Sequence, residues 1–255
     1  MIIIQPIGGL CNRMRAINSA RVLAKKRGET LKVIWNVNPE LGCPFEELFQ
    51  KTDAFSLRNI HSKWDPQKVF YQLTRMVVGN EELRANRTEQ GLPDAYLASL
   101  PKNLYIATEE HFFPCHDYSP FQPTTEIADR VNAITAGFKS HNVGIDNKPA
   151  IGKSSTQAFI DAMQKELSMN PSTMFYLATD DLSEEANLRR GFPDRIISNE
   201  TRDLSRDSVN GVKDALLDLM CLSKTDKIIG SYFSSFTDIA ADINGIPKIV
   251  AGEES

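Results

Sequence analysis

The sequence predicts an α/β fold made of two Rossmann-like lobes, each built on a parallel sheet. Three observations predict it. Short apolar runs (Ile2-Ile3-Ile4, Ile228-Ile229, Ile249-Val250) alternate with amphipathic stretches of helical length, the pattern of β-α-β units joined by right-handed crossovers. Those runs are apolar without alternation, as in strands covered by helices on both faces. The length of 255 residues, 41% of them apolar and 24% charged, suffices for two ordinary cores. A division near residue 140 gives lobes 1–140 and 141–255.

The elements follow in order. Ile2–Ile4 is a strand, and Gly8-Gly9 begins the turn into a helix from about Asn12 to Arg27, with Met14, Ile17, Val22 and Leu23 among its apolar positions and Gly28 as its stop. Leu31–Trp35 is the next strand. Asn36 to about Pro44, broken by Pro39, Gly42 and Pro44, is a loop, and Phe45–Phe49 a short helix. Residues 53–100 hold only short, polar elements. Leu104–Ala107 is a strand, and His111–Pro123, with its prolines and aromatics, an irregular connection. The second half is more regular. Strands are expected at Val143–Ile145, Met174–Thr179, Arg195–Ile197, Lys227–Gly230 and Lys248–Val250. Helices are expected at Ser154–Leu167, Ser183–Arg190, Val209–Leu222 and Ser235–Ile243.

Composition excludes several classes. A net charge of −4 argues against a duplex nucleic-acid partner. Cys11, Cys43, Cys115 and Cys221 lack metal-ligand spacing and read as reduced thiols, which points to a cytoplasmic protein without a zinc site. The first residues lack the pattern of a signal peptide, and no run reaches the ~18 apolar residues of a membrane span. Peripheral membrane contact stays open.

Four stretches carry chemistry. Gly8-Gly9-Leu10-Cys11-Asn12-Arg13-Met14-Arg15 places glycines, an amide and guanidinium groups at the carboxyl end of the first strand, where open α/β sheets bind ligands. Arginines at a helix start oppose the macrodipole, so Arg13 and Arg15 ask for a compensating anion. Thr179-Asp180-Asp181 ends a strand at the same kind of edge. Its carboxylates suit ribose hydroxyls, although Asp also caps helices routinely. Asp218 is a carboxylate within the apolar helix Leu216–Leu222 and would suit the donor edge of a guanine. Gly230-Ser231-Tyr232-Phe233-Ser234-Ser235 puts hydroxyls and free amides at a helix start, a second anion site.

Together these stretches resemble the nodulation-type and core α-1,6-fucosyltransferases. The matching text is IIIQPIGGLCNRMRAI, FYLATDD and LLDLMCLSKTDKIIGSYFSSFTDIA, in the same order and spacing. The likeness covers 1–35 and 143–250 well and 40–140 weakly. It implies a GT-B-like fold and inverting, metal-independent transfer of fucose from GDP-fucose to a glycan or lipid-linked oligosaccharide hydroxyl, with no cofactor. It also implies residue roles. Asp218 reads the guanine edge. Ser231, Ser234 and Ser235, with the amides around Phe233, hold the diphosphate. Asp180 and Asp181 lie at the nucleoside, and Gly9, Asn12 and Arg13 face the donor from the first lobe. Arg13 and Asp146 are the residues expected to act in catalysis.

One departure stands out. The family carries His-x-Arg-Arg-x-Asp at the end of the second lobe's first strand, whereas here Val143-Gly144-Ile145 passes straight to Asp146-Asn147-Lys148. This reads as about five residues missing, with Asp146 the motif's final acid. Either residues are absent from the numbering or the deletion is real. A real deletion favours the alternative of a catalytically inactive nucleotide-sugar-binding protein, because Lys148, Lys153 and Arg13 are poor substitutes for the lost cations. The base is open among Asp146, Glu109, Glu110 and Asp117. An NAD-dependent oxidoreductase fits poorly, since Gly8-Gly9 lacks GxGxxG spacing and no acid follows the second strand at Trp35.

Overall fold

The computed structural model describes residues 1–148 and 153–253. The chain forms two compact units, Met1–Thr124 with Ser205–Lys213, and Thr125–Leu204 with Asp214–Ser255. The sequence places the division some fifteen residues later and treats 205–213 as part of the second lobe.

The first unit contains β1 (Ile2–Pro6), α1 (Leu10–Arg27), β2 (Leu31–Asn36), α2 (Phe45–Leu48), β3 (Ser56–Ile60), α3 (Pro66–Thr74), β4 (Met76–Val78), α4 (Asn80–Asn86), α5 (Asp94–Ser99) and β5 (Leu104–Thr108). Its parallel sheet has the order β3-β2-β1-β5-β4. β1 sits at the centre, so Ile2, Ile3 and Ile4 are fully buried, as their unbroken apolar run requires. Their side chains at ~1.5–3 kcal/mol each make this strand a main source of the core's stability.

The weakly patterned stretch 53–100 supplies two strands and three short helices, and its register comes from β2 and β5 rather than from its own sequence. The irregular 111–123 connection is tied down from within. Ser19 Oγ accepts from the amides of Phe112 and Phe113 and donates to the Phe113 carbonyl. Phe121 enters an aromatic cluster with Phe45, Phe49 and Phe55.

The second unit contains α6 (Thr125–Thr135), β6 (Asn142–Asp146), α7 (Thr156–Met169), β7 (Met174–Ala178), α8 (Leu182–Gly191), β8 (Ile196–Ile197), α9 (Val209–Ser223, whose first turn belongs to the first unit), β9 (Lys227–Gly230), α10 (Ser235–Asn244) and β10 (Lys248–Val250). The sheet order is β10-β9-β6-β7-β8, all parallel. The expected α/β class with two parallel sheets is what the chain adopts, and each sheet has five strands. α6 was not anticipated; only Ile127 and Val131 of it are buried, a stripe too thin to mark a helix in the sequence.

β6 corrects one expectation. Its three anticipated residues are five, and the strand pairs without a break through Asp146, which lies opposite Ala178 on β7 and Gly230 on β9.

Candidate functional site

The carboxyl edge of the second sheet collects most of the expected donor residues. β9 ends at Gly230, where a Cβ would lie 2.0 Å from Thr237 Oγ1, so α10 can approach this closely only over a glycine. Ser231 Oγ donates to the Asp146 carbonyl at 3.0 Å and accepts from the Lys148 amide at 2.8 Å, tying the end of β6 to the turn. Ser154 Oγ accepts from the Tyr232 amide at 2.8 Å and donates to the Ala251 carbonyl. The turn is therefore anchored on both flanks. At its tip Phe233 adopts φ +56 and is 86% exposed, its ring edge-on to Tyr232. A left-handed phenylalanine whose ring is mostly in water is strained and gains little from packing beyond its contact with Tyr232, which marks the turn as shaped for something other than the core.

Ser234 is the N-cap of α10, accepting from the Thr237 amide. Its hydroxyl donates to Asp146 Oδ2 at 2.5 Å, and the Thr237 hydroxyl donates to the same oxygen at 2.6 Å. Asp146 is buried, and burial raises its carboxyl pKa against the two hydroxyl bonds that lower it. Asp146, expected to act in catalysis as the last acid of a motif, has one carboxylate oxygen taken up by these two hydroxyls. It is an anchor, committed to the cap and first turn of α10. Ser235 opens α10, and like any first-turn residue its amide has no partner inside the helix. The first amides of α10 thus face outward from a turn held in place by β6.

The second acid pair divides. Asp181 caps α8, accepting from the amides of Ser183 and Glu184, and these bonds, with that of the Ser183 hydroxyl, hold its carboxyl below the usual range. It does the work of a cap. Asp180 lies 3.8 Å from the exposed Lys148 ammonium, which places a cation at the sheet edge beside the Ser231 turn. Asp218 lies deeper, between α9 and the sheet. One oxygen accepts from the Tyr176 hydroxyl at 2.6 Å, and burial pushes the carboxyl up to about 7. Its other oxygen has no partner among the described residues, yet is not sealed from solvent.

The first sheet's edge holds the glycine loop. Gly8 turns at φ +79, which a side chain would strain, and Gly9 caps α1 in extended conformation with open space where a Cβ would stand. Arg13 is not the free charge expected. It is fully buried, with Nε on the Gly8 carbonyl, Nη1 on the Asn36 carbonyl and Nη2 on Asn38 Oδ1. Its guanidinium lies 5.0 Å from the centre of the Trp35 ring, and burial lowers its pKa to about 10. Carbonyl and amide oxygens, with the nearby charge of Glu40, supply the negative partner that the sequence reading assigned to a bound anion. Arg13 braces the loop.

Asn12 stays at the loop, its Oδ1 accepting from Arg15 at 3.0 Å. A Cβ built on Gly8 would lie 3.3 Å from both Asn12 Nδ2 and Glu109 Oε2, so these two groups converge over the turn. Asn80, which the sequence did not single out, fixes the start of the Glu109 segment. Its Oδ1 accepts from the Thr108 hydroxyl and the Glu109 amide. Thr237 and Ser154 were missed likewise. The Gly230–Thr237 approach is the signal that could have revealed Thr237, but glycine at a strand end has many other causes.

Among the described residues no group of three His, Cys, Asp or Glu side chains stands close enough to hold a metal ion. No family model and no curated protein matches the sequence. Solved structures do match. The NodZ alpha-1,6-fucosyltransferase soaked with GDP-fucose is similar at TM-score 0.64 and 14% identity, over 95% of this chain and 92% of that one. A mutant Arabidopsis thaliana FUT1 in complex with GDP gives TM-score 0.65 and 14% identity, over 98% of this chain and 69% of that one. POFUT1 in complex with GDP gives 0.62 and 12%, over 99% and 98%. The chain has a fucosyltransferase-like, GT-B-like fold.

Proposed function

We propose that the protein is an inverting glycosyltransferase that moves fucose from GDP-fucose to a hydroxyl of a glycan or lipid-linked oligosaccharide, without a metal or other cofactor. The observation that carries this reading is the anchored Ser231–Ser235 turn at the start of α10. It presents the first amides of α10 at a sheet edge, in a fold shared with proteins crystallised with GDP or GDP-fucose. A helix start of this kind favours the diphosphate and steadies the negative charge that grows as GDP leaves. Lys148, beside the same turn, adds a positive charge. Asp218 offers its second oxygen to the guanine N–H edge, and Asp180 faces the ribose. Gly9 and Asn12 serve the sugar end.

The acceptor hydroxyl must lose a proton as it attacks the anomeric carbon. The candidate acids sort by environment. Asp117 is held down to about 2 by bonds from Ser119 and Arg21. Glu110 is buried against Arg84 at 2.6 Å and Arg87 at 3.0 Å, and Asp146 holds α10. Glu109 keeps a half-buried carboxylate over the glycine turn, with Asn80 Nδ2 at 3.5 Å and Arg84 no nearer than 3.7 Å. Glu109 is therefore assigned as the base.

The test is Ser235→Pro. Proline is tolerated at the first helical position, and the extended Ser234 (ψ 111) suits a residue preceding proline. The variant loses one amide from the anion site and keeps the fold. Calorimetry is expected to show GDP binding weakened about 10-fold, the worth of one charge-assisted hydrogen bond of roughly 1.4 kcal/mol. Unchanged affinity sinks the assignment.

The alternative is a nucleotide-sugar-binding protein without turnover. It is favoured by the lack of a His-x-Arg-Arg-x-Asp run after Val143-Gly144-Ile145, which leaves the flexible ammonium groups of Lys148 and Lys153, rather than arginines, beside the turn. GDP binding together with no release of GDP from GDP-fucose selects it.

A further inference from the structure

Trp64, Phe70 and Leu73 are 82%, 60% and 81% exposed, and Met76 and Val77 are exposed beside them. These are large apolar groups on one short segment, and nothing in the donor chemistry uses them. α3 buries Tyr71 against the first sheet. Phe70 and Leu73, one helical turn apart, therefore project together on another side. β4, next in the chain, is an edge strand that pairs only with β5. Single exposed apolar residues need no explanation, but a clustered set does.

The charges of the same segment are one-sided. Arg58, Lys63, Lys68 and Arg75 face one acid, Asp65, in a chain whose net charge is −4. Asp65 is occupied by Arg58 at 2.8 Å and by the Lys68 amide, whose N-cap it is. Lys63 and Lys68 have no ion pair among the described residues. A second copy docking through the same patch would bring these cations against each other, as a two-fold contact must. An anionic bilayer would oppose them with negative charge and take up the apolar side chains. Exposed tryptophan next to lysine is the composition of a membrane–water interface.

We propose that the α3–β4 segment docks the protein on anionic lipid, with Trp64, Phe70 and Leu73 entering the headgroup region and Lys63 and Lys68 meeting lipid phosphates. No helix among the described residues is long and apolar enough to cross a membrane, so the contact is peripheral. This inference does not rest on the glycosyltransferase reading.

The protein carries its own probe. It has two tryptophans, Trp35 fully buried and Trp64 in water, so an environmental shift in emission reports Trp64. Mixed phosphatidylglycerol–phosphatidylcholine vesicles are expected to shift the emission to the blue and to sediment the full chain at low salt. Both effects should fade at about 0.5 M salt, where screening is severe. Lys63→Gln and Lys68→Gln should each weaken partitioning about 5-fold. Leu73→Glu should abolish the shift while the thermal melt and the Trp35 signal stay as in the wild type. Absence of the shift with anionic vesicles overturns the proposal. So does an equal shift with pure phosphatidylcholine, or a dimer in sedimentation equilibrium that Leu73→Glu dissolves without any vesicle binding.

Discussion

Asp218→Asn tests the interior of the second unit quantitatively. Asp218 sits between α9 and the sheet, receives one hydrogen bond from Tyr176 at 2.6 Å, and has its carboxyl pushed up to about 7 by burial. Arg202 pulls the other way, while Asp214 and Glu185 add to the rise. An unfolded aspartate titrates near ~3.9. Between about pH 4 and 7 the folded chain therefore holds a proton that the unfolded chain has shed. Stability is full below about pH 4 and is lost as pH rises through about 7. The span of about 3 pH units corresponds to a ceiling of about 4 kcal/mol at ~1.4 kcal/mol per unit. Asparagine keeps an acceptor for Tyr176 and removes the titration. Its new amide donors shift stability by ~1–3 kcal/mol, but equally at every pH. Urea denaturation followed by fluorescence at steps from pH 4.5 to 8 should show the wild type falling relative to the variant, with the difference levelling above pH 7. Groups titrating in both proteins cancel in that difference. Parallel profiles would refute a protonated Asp218 and with it the buried-carboxyl argument.

Other predictions follow from the sheet edges. Gly230→Ala drives a methyl to within 2.0 Å of Thr237 Oγ1 and should cost about 2 kcal/mol or more by overpacking, read as a lower urea midpoint; Thr237→Ala in the same chain should recover part of it. Arg13→Met leaves the Gly8 and Asn36 carbonyls and Asn38 without their donor, and should destabilise the first unit by about 3 kcal/mol in thermal melts while GDP binding survives wherever the chain stays folded. Glu109→Gln should lower kcat about 100-fold or more, with the donor KM and the melting temperature unchanged; a kcat within a few-fold of the wild type would remove Glu109 as the base.

How far the sequence reaches can be judged residue by residue. Ile2–Ile4, Ile228-Ile229 and Ile249-Val250 reveal parallel strands because burial on both faces leaves an unbroken apolar run, and periodicity alone places most helices of the second half. The short strands β3 and β4 were not legible, because each is an edge strand whose pairing is set by its one neighbour, β2 or β5. The site was legible as a set of turns. Gly8-Gly9, Thr179-Asp180-Asp181 and Ser231–Ser235 all lie at the carboxyl edges of their sheets, since chain order and helix-start residues dictate that position.

What each side chain does there was decided only by the tertiary structure. Arg13 looks like a ligand cation in the sequence and is a buried brace, because the carbonyls it bonds, Gly8 in the glycine turn and Asn36 at the end of β2, are brought to it by separate segments. Asp146 looks like the remnant of a deleted motif and is the anchor of α10, because Ser234 and Thr237 reach it across about ninety residues of chain. Local sequence determines which residues can form a strand, a cap or a turn. Whether a charge is free to act depends on the partners that distant segments bring to it, and those are fixed only when the chain packs.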